Sequence, residues 1–270
     1  MLETMNATVT FVTSFEPDMY RATGIHLLQS FTTYCPECRL LACTESLAPG
    51  DFQHAGAGID TCDITENPVL TEWLKQNSSI IPRHLGGTAD KCGCTKTGFG
   101  VDEIHQRGCH YSWYNRNAAR WFRKIIALDT ASRVHPTSQL IWLDSDCRFK
   151  GRVTRDVASS WFQSADGFYF KSPQRRVLES GILGLDGSPT ARTFLSMVLE
   201  RFLSGEFRRD PRWDDAYQIQ AVINSRSDIK MVDLAPSAYP YHAEVIAASV
   251  VGRYIEHYRG THGPVLRLMI

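Results

Sequence analysis

The chain lacks any run of about 18 consecutive apolar residues, and so contains no segment that reads as a membrane-crossing helix. Its opening, MLETMN, lacks the basic stretch followed by an apolar one that marks a secretory leader, which leads us to expect a reducing, cytoplasmic setting and no membrane partner. It lacks net charge: 29 Lys and Arg face 29 Asp and Glu. That balance excludes a strongly basic nucleic-acid coat and an acidic disordered tail, while leaving room for local basic faces. Internal repeats, low-complexity tracts and a recognisable linker are also missing.

What is present describes a globular protein. The 270 residues are 43% hydrophobic and 21% charged, enough for one large α/β domain, and we expect a single domain over 1–270. Six Trp, ten Tyr and thirteen Phe supply a substantial core. The eight cysteines (Cys35, Cys38, Cys43, Cys62, Cys92, Cys94, Cys109 and Cys147) read, in a reducing setting, as free thiols or metal ligands rather than disulfides.

The β-branched stretch Thr8 to Phe15 predicts a first strand, Ile25 to Tyr34 a helix, and Arg39 to Thr44 a second strand. Strand, helix, strand in succession predicts a βαβ unit and a parallel sheet. Residues 84–110, rich in Gly, Cys and His, predict an irregular loop or insertion. Ser112 to Ala131 predicts a helix with Ala119, Phe122 and Ile126 on one face and Arg116, Arg120 and Lys124 on another. Strands are expected at Leu140–Leu143, Gly167–Phe170 and Gly181–Leu185, and helices at Thr190–Leu203 and Trp213–Asn224.

The sharpest chemical signal is Leu140-Ile-Trp-Leu-Asp144-Ser-Asp146, an apolar strand running into two carboxylates separated by one residue. In extended backbone, residues i and i+2 point to one side, so both carboxylates are expected there. Like charges so placed repel unless a cation sits between them, and Mg²⁺ and Mn²⁺ favour oxygen ligands and bridge phosphates. In open α/β sheets, ligands bind beyond the carboxyl ends of strands, where these residues fall. The competing reading is a polar turn that ends a strand.

These segments, taken in order, resemble the metal-dependent nucleotide-sugar glycosyltransferases of the GT-A fold, and in feel the small phage-type members. The resemblance runs over VTFVTSF, the basic helix NRNAARWFRKIIAL, LIWLDSD, the segment ESGILG from Glu179, the acidic start WDDAY at Trp213, and EHYRG from Glu256. The tail departs from the Asp-His-Leu-Lys-Gly pattern of those members at Glu256, Tyr258 and Arg259, the last keeping the positive charge. The resemblance implies a GT-A-like, Rossmann-like, mostly parallel central sheet flanked by helices. It also implies Mn²⁺ or Mg²⁺ held by Asp144, Asp146 and His257, and a nucleoside-diphosphate sugar contacted by Asp144, Arg259, Gly260, Lys124 and Arg120. Asp214, Asp215 and Glu179 become candidate catalytic carboxylates, for an inverting or a retaining transfer alike. The expected acceptor is a hydroxyl, on a hydroxymethylated pyrimidine of phage DNA or on a surface polysaccharide or other glycan. Arg152, Arg155, Arg175, Arg176, Arg208, Arg209 and Arg212 are expected to be exposed and able to face DNA phosphates.

Two further classes stay open at this stage. Cys92, Cys94, His105, Cys109 and His110, with the pair Cys35 and Cys38, carry enough soft ligands for a structural Zn²⁺, and the chain would then be a non-catalytic zinc-containing module for nucleic acid or protein. A nucleotidyltransferase would use a similar sheet, but the stretch from Thr13 to Gly24 lacks its Gly-rich basic signature.

Overall fold

A computed structural model describes residues 8–47, 56, 58–78, 118–173, 175, 177–237 and 245–258. The first strand, β1 (Val9–Phe15), is followed by a Pro17-led turn and a π-helical stretch, Tyr20–Gly24, that runs into α1 (Ile25–Tyr34). Then come β2 (Arg39–Thr44), β3 (Ile59–Asp63), α2 (Pro68–Gln76), α3 (Ala118–Val134), β4 (Gln139–Leu143) and β5 (Cys147–Phe149). The chain continues through α4 (Arg155–Ser160), β6 (Gly167–Phe170), β7 (Glu179–Leu185), α5 (Pro189–Leu203), α6 (Asp215–Ser225), β8 (Met231–Asp233) and β9 (Ile255–His257).

Seven strands form a mixed sheet in the order β3-β2-β1-β4-β7-β6-β8, and β5 pairs with β9 in a separate two-stranded ribbon. The pairings β1–β2, β2–β3, β1–β4 and β6–β8 are parallel; β7 runs against both β4 and β6. The expected α/β architecture, a mostly parallel sheet flanked by helices, is therefore the one observed. The elements expected at 25–34, 39–44 and 167–170 coincide with observed ones.

Alternation along the strands builds a core on each face. Val12, Leu41, Leu140, Trp142 and Leu183 pack under Phe122 and Ile126 of α3, Phe194 of α5 and Ile219 of α6. Phe11, Leu40, Ile141, Leu143 and Ile182 pack on the other face against Leu27 and Phe31 of α1 and against Trp161. Helix starts follow local chemistry. Asn67 accepts from the Val69 and Leu70 amides ahead of Pro68, and Ser188 accepts from the Ala191 amide ahead of Pro189. No described helix is long and apolar enough to cross a membrane.

The chain steps from β1 outward to β2 and β3, then returns to place β4 on the other side of β1. In open α/β sheets ligands bind at the carboxyl ends of the strands beside such a reversal, here between β1 and β4. Because β7 is antiparallel, its beginning lies at that same edge, with Leu143 opposite Ile182.

Candidate functional site

The last residues of β4 lead directly into Asp144, whose amide donates to Gly181 O at 2.9 Å. The backbone does not stay extended through Asp146, as expected from the sequence. It turns, and the Cys147 amide donates back to Asp144 O at 2.9 Å. Ser145, at the turn's centre, is buried and accepts from Thr23 Oγ1 of the π-helical stretch at 3.1 Å. A tight turn thus does what extended spacing was expected to do, and both carboxylates still approach one point.

That point is His257. The antiparallel ribbon sets Cys147 opposite His257, and the Tyr258 amide donates to Asp146 O at 3.1 Å, so the distant tail segment is brought onto the turn. His257 Nε2 lies 3.2 Å from Asp146 Oδ1 and 3.7 Å from Asp144 Oδ2. The imidazole is seated over β7 because position 181 is glycine: a Cβ there would stand 2.3 Å from His257 Cε1. Burial alone would lower the pKa of His257, but the hydrogen bond and charge of Asp146, with the charge of Asp144, outweigh it and raise it.

Lys124 arrives from α3 on the other side of Asp144. Its Nζ lies 2.9 Å from Asp144 Oδ1 and 2.6 Å from Asp215 Oδ2, donates to Ser180 O at 2.8 Å, and stands 5.0 Å from the centre of the Trp142 ring. The expected basic face of this helix therefore divides. Lys124 is 4% exposed, drawn inward by two carboxylates that compensate its desolvation. Arg120, one turn earlier, is exposed with its guanidinium over Trp121. Burial would lower the Lys124 pKa, yet Asp144 and Asp215 hold it above the ordinary lysine value, so it stays an ammonium. Burial raises the Asp215 carboxyl, Lys124 pulls it back, and Asp144 and Asp214 add to the rise.

The two neighbouring aspartates at the start of α6 separate. Asp214 is the N-cap: Oδ1 accepts from the Tyr217 amide at 3.0 Å, and Oδ2 lies 2.6 Å from Arg212 Nε. Both of its oxygens are engaged away from Lys124, so of the pair only Asp215 reaches the site. Arg212 was expected at the surface; its ion pair with Asp214 draws it partly inside. Glu179 bends back along its own strand, Oε1 accepting from the Gly181 amide at 3.1 Å. Arg259 and Gly260 lie outside the described residues, as do Arg116, Arg176 and the Cys/His segment around 92–110.

The donor set suits a hard or borderline divalent cation. Asp146 Oδ1 and Asp144 Oδ2 stand 3.2 and 3.7 Å from one imidazole nitrogen, His257 Nε2. Lys124 pairs with two of the carboxylates, Asp144 and Asp215, while Asp146 faces His257. Among the described residues, the one group of three potential ligands is Asp146, Cys147 and His257. Cys147 is fully buried with its Sγ facing Gly181 O at 3.8 Å, and Asp144 Oδ2, 3.7 Å from His257 Nε2, is the alternative third ligand. The zinc expectation finds no help at Cys35 and Cys38. Burial raises both thiols, Cys38 to about 12, and both pack in the core.

Sequence reasoning missed three contributors: the Trp142 indole, which donates to Asp144 Oδ1 at 2.7 Å, the Ser180 carbonyl and Gly181. The Trp142 contact had a signal, since residue i−2 on a strand shares a side with residue i. The Ser180 and Gly181 contacts depend on β7 lying beside β4, which no local pattern encodes.

No protein-family model and no curated protein matches the sequence. Among solved structures, the chain is similar to mouse xyloside xylosyltransferase 1 in its apo form, with a TM-score of 0.45 and 11% identity over 85% of this chain and 86% of that one. It is also similar to the glycosyltransferase GlyE of Streptococcus pneumoniae TIGR4, with a TM-score of 0.43 and 9% identity over 84% of this chain. This chain spans 45% of that second protein's chain.

Proposed function

We propose that the protein is a metal-dependent glycosyltransferase, a single domain that moves a sugar from a nucleoside-diphosphate sugar to an acceptor hydroxyl. The observation that carries this reading is the approach of Asp146 Oδ1 (3.2 Å) and Asp144 Oδ2 (3.7 Å) to His257 Nε2 at the carboxyl end of β4. Those three residues would hold Mn²⁺ or Mg²⁺. When bound, the cation neutralises charge growing on the departing diphosphate. Carboxylates at this point repel a diphosphate, so donor binding is expected to require the metal.

The remaining residues divide the work. Arg259, Gly260 and the exposed Arg120 are proposed contacts of the donor diphosphate or sugar. Asp215, 1% exposed and ion-paired, suits holding a sugar hydroxyl or fixing Lys124 better than moving a proton. Glu179, half-buried at the start of β7, is the proposed carboxylate for the acceptor. Several arginines expected to meet DNA are engaged with protein groups. Arg212 pairs with Asp214, Arg208 with Asn77, Arg152 with Glu37 and Arg155 with Asp156. Arg152 and Arg208 nonetheless stay exposed, so the proposed acceptor is a hydroxyl on a hydroxymethylated base in DNA or on a glycan.

The test is a thermal-shift panel of nucleoside diphosphates and their sugars, with Mn²⁺ and with EDTA. A ligand that binds only the folded state raises the melting temperature by mass action. We expect one nucleotide to raise it with Mn²⁺, not with EDTA, and not in Asp146→Asn. Absence of a shift with every nucleotide, together with destabilisation by a zinc chelator, would instead favour the zinc module.

A further inference from the structure

The two oxygens of Asp144 are used differently. Asp144 Oδ1 accepts from Trp142 Nε1 at 2.7 Å and pairs with Lys124 Nζ at 2.9 Å, while Oδ2 alone is turned toward His257. The two donors support each other. The Lys124 ammonium lies over the face of the same indole whose edge binds the carboxylate. Trp142 is 3% exposed and Lys124 has given all three of its N–H bonds, to Asp144, Asp215 and Ser180. Neither group is free to leave for a substrate without breaking buried contacts.

We infer that Trp142 is a positioning residue for the cation site: its indole N–H, with Lys124, occupies Oδ1 of Asp144 and so makes that carboxylate a one-oxygen ligand. The inference rests on the metal reading above and adds a selectivity. Ca²⁺ takes carboxylates in mono- or two-oxygen fashion within a large, flexible shell, whereas Mg²⁺ and similar small ions bind one oxygen of each carboxylate at short distance. Closing Oδ1 favours the small ions. Partners of this kind, one step out from the metal, change metal affinity by about 10–100-fold when removed.

The experiment is Trp142→Phe, which keeps a ring beneath Lys124 and deletes the N–H. Binding of Mn²⁺ alone is read by the signal of the free ion in electron paramagnetic resonance, and Ca²⁺ by competition. We expect Mn²⁺ to bind the variant about tenfold more weakly and the Mn²⁺ preference over Ca²⁺ to shrink. A merely structural role would lower the melting temperature in EDTA and leave the Mn²⁺ to Ca²⁺ preference in place, which would overturn the proposal. If Trp142→Phe fails to fold, benzothienylalanine at position 142, with sulfur in place of the N–H and nearly the same shape, gives the same reading. Wild-type protein that binds no Mn²⁺ would sink the metal reading itself. Wild-type binding with unchanged affinity and selectivity in the variant would sink only the role of Trp142.

Discussion

Two acidic pairs are linked through Lys124, and the backbone beneath each decides what it does. Asp144 and Asp146 flank a tight turn, and both carboxylates reach His257. Asp214 and Asp215 begin a helix, where successive side chains leave the axis about 100° apart, so one caps the helix and meets Arg212 while the other turns to Lys124. Adjacent acids at a helix start are divided between support and site. Acids one residue apart around a turn act together. Acidic content alone therefore says little; the local backbone assigns the roles.

The comparison breaks first at the turn. Asp146→Ala is expected to abolish the Mn²⁺-dependent thermal shift and to weaken Mn²⁺ binding by more than about 100-fold, since a direct ligand outweighs its supporting partners. Retained affinity in that variant would remove the turn from the metal reading. Gly181→Ala attacks the same point from beneath. The added methyl would meet the His257 ring, so Mn²⁺ affinity is expected to fall by about tenfold while the far end of the sheet keeps its amide-exchange protection. An unchanged affinity would show that the imidazole is not held where β7 places it.

At the helix start the two neighbours should respond differently. Asp215→Asn leaves Lys124 buried with one carboxylate instead of two, and is expected to cost about 3 kcal/mol, or roughly 6–12 °C in melting temperature. Asp214→Ala removes a cap and the partner of Arg212, and is expected to cost about 2 kcal/mol, roughly 4–8 °C, with Mn²⁺ affinity unchanged. Calorimetry of both variants decides it. Equal losses would mean that the division between cap and site is not an energetic one.

Much of this was legible in the sequence because it is local. The apolar run ending in Asp144, the helix at 25–34 and the acidic helix start at 214 all follow from short-range pattern. Two things were not. The edge strand β3, Ile-Asp-Thr-Cys-Asp, carries a polar face to solvent, so its pattern reads as loop; its carboxylates guard the open edge. The burial of Lys124 also escaped reading, because its spacing with Arg120 suits a solvated stripe. Only the arrival of Asp144 and Asp215 from other elements turns it inward. His257 lay between: the resemblance pointed to it, and the ribbon β5–β9 is what places it.

The smallest effect sharpens the same lesson on a second neighbouring pair. Cys43 and Cys62 stand in register on β2 and β3, yet Cys43 is fully buried beneath α3 with its Sγ facing Ala127 O at 3.9 Å, and Cys62 is half-exposed on the edge strand. Burial raises both thiols, but far more at Cys43, where it pushes the pKa beyond the reach of mild alkaline conditions. Since the thiolate is the reacting form, iodoacetamide at mildly alkaline pH is expected to label the native protein at Cys62 and to leave Cys43 untouched, read by peptide mass spectrometry. Labelling of both at one rate would mean that β3 detaches from β2 faster than the reagent reacts, making this edge the first part of the sheet to open.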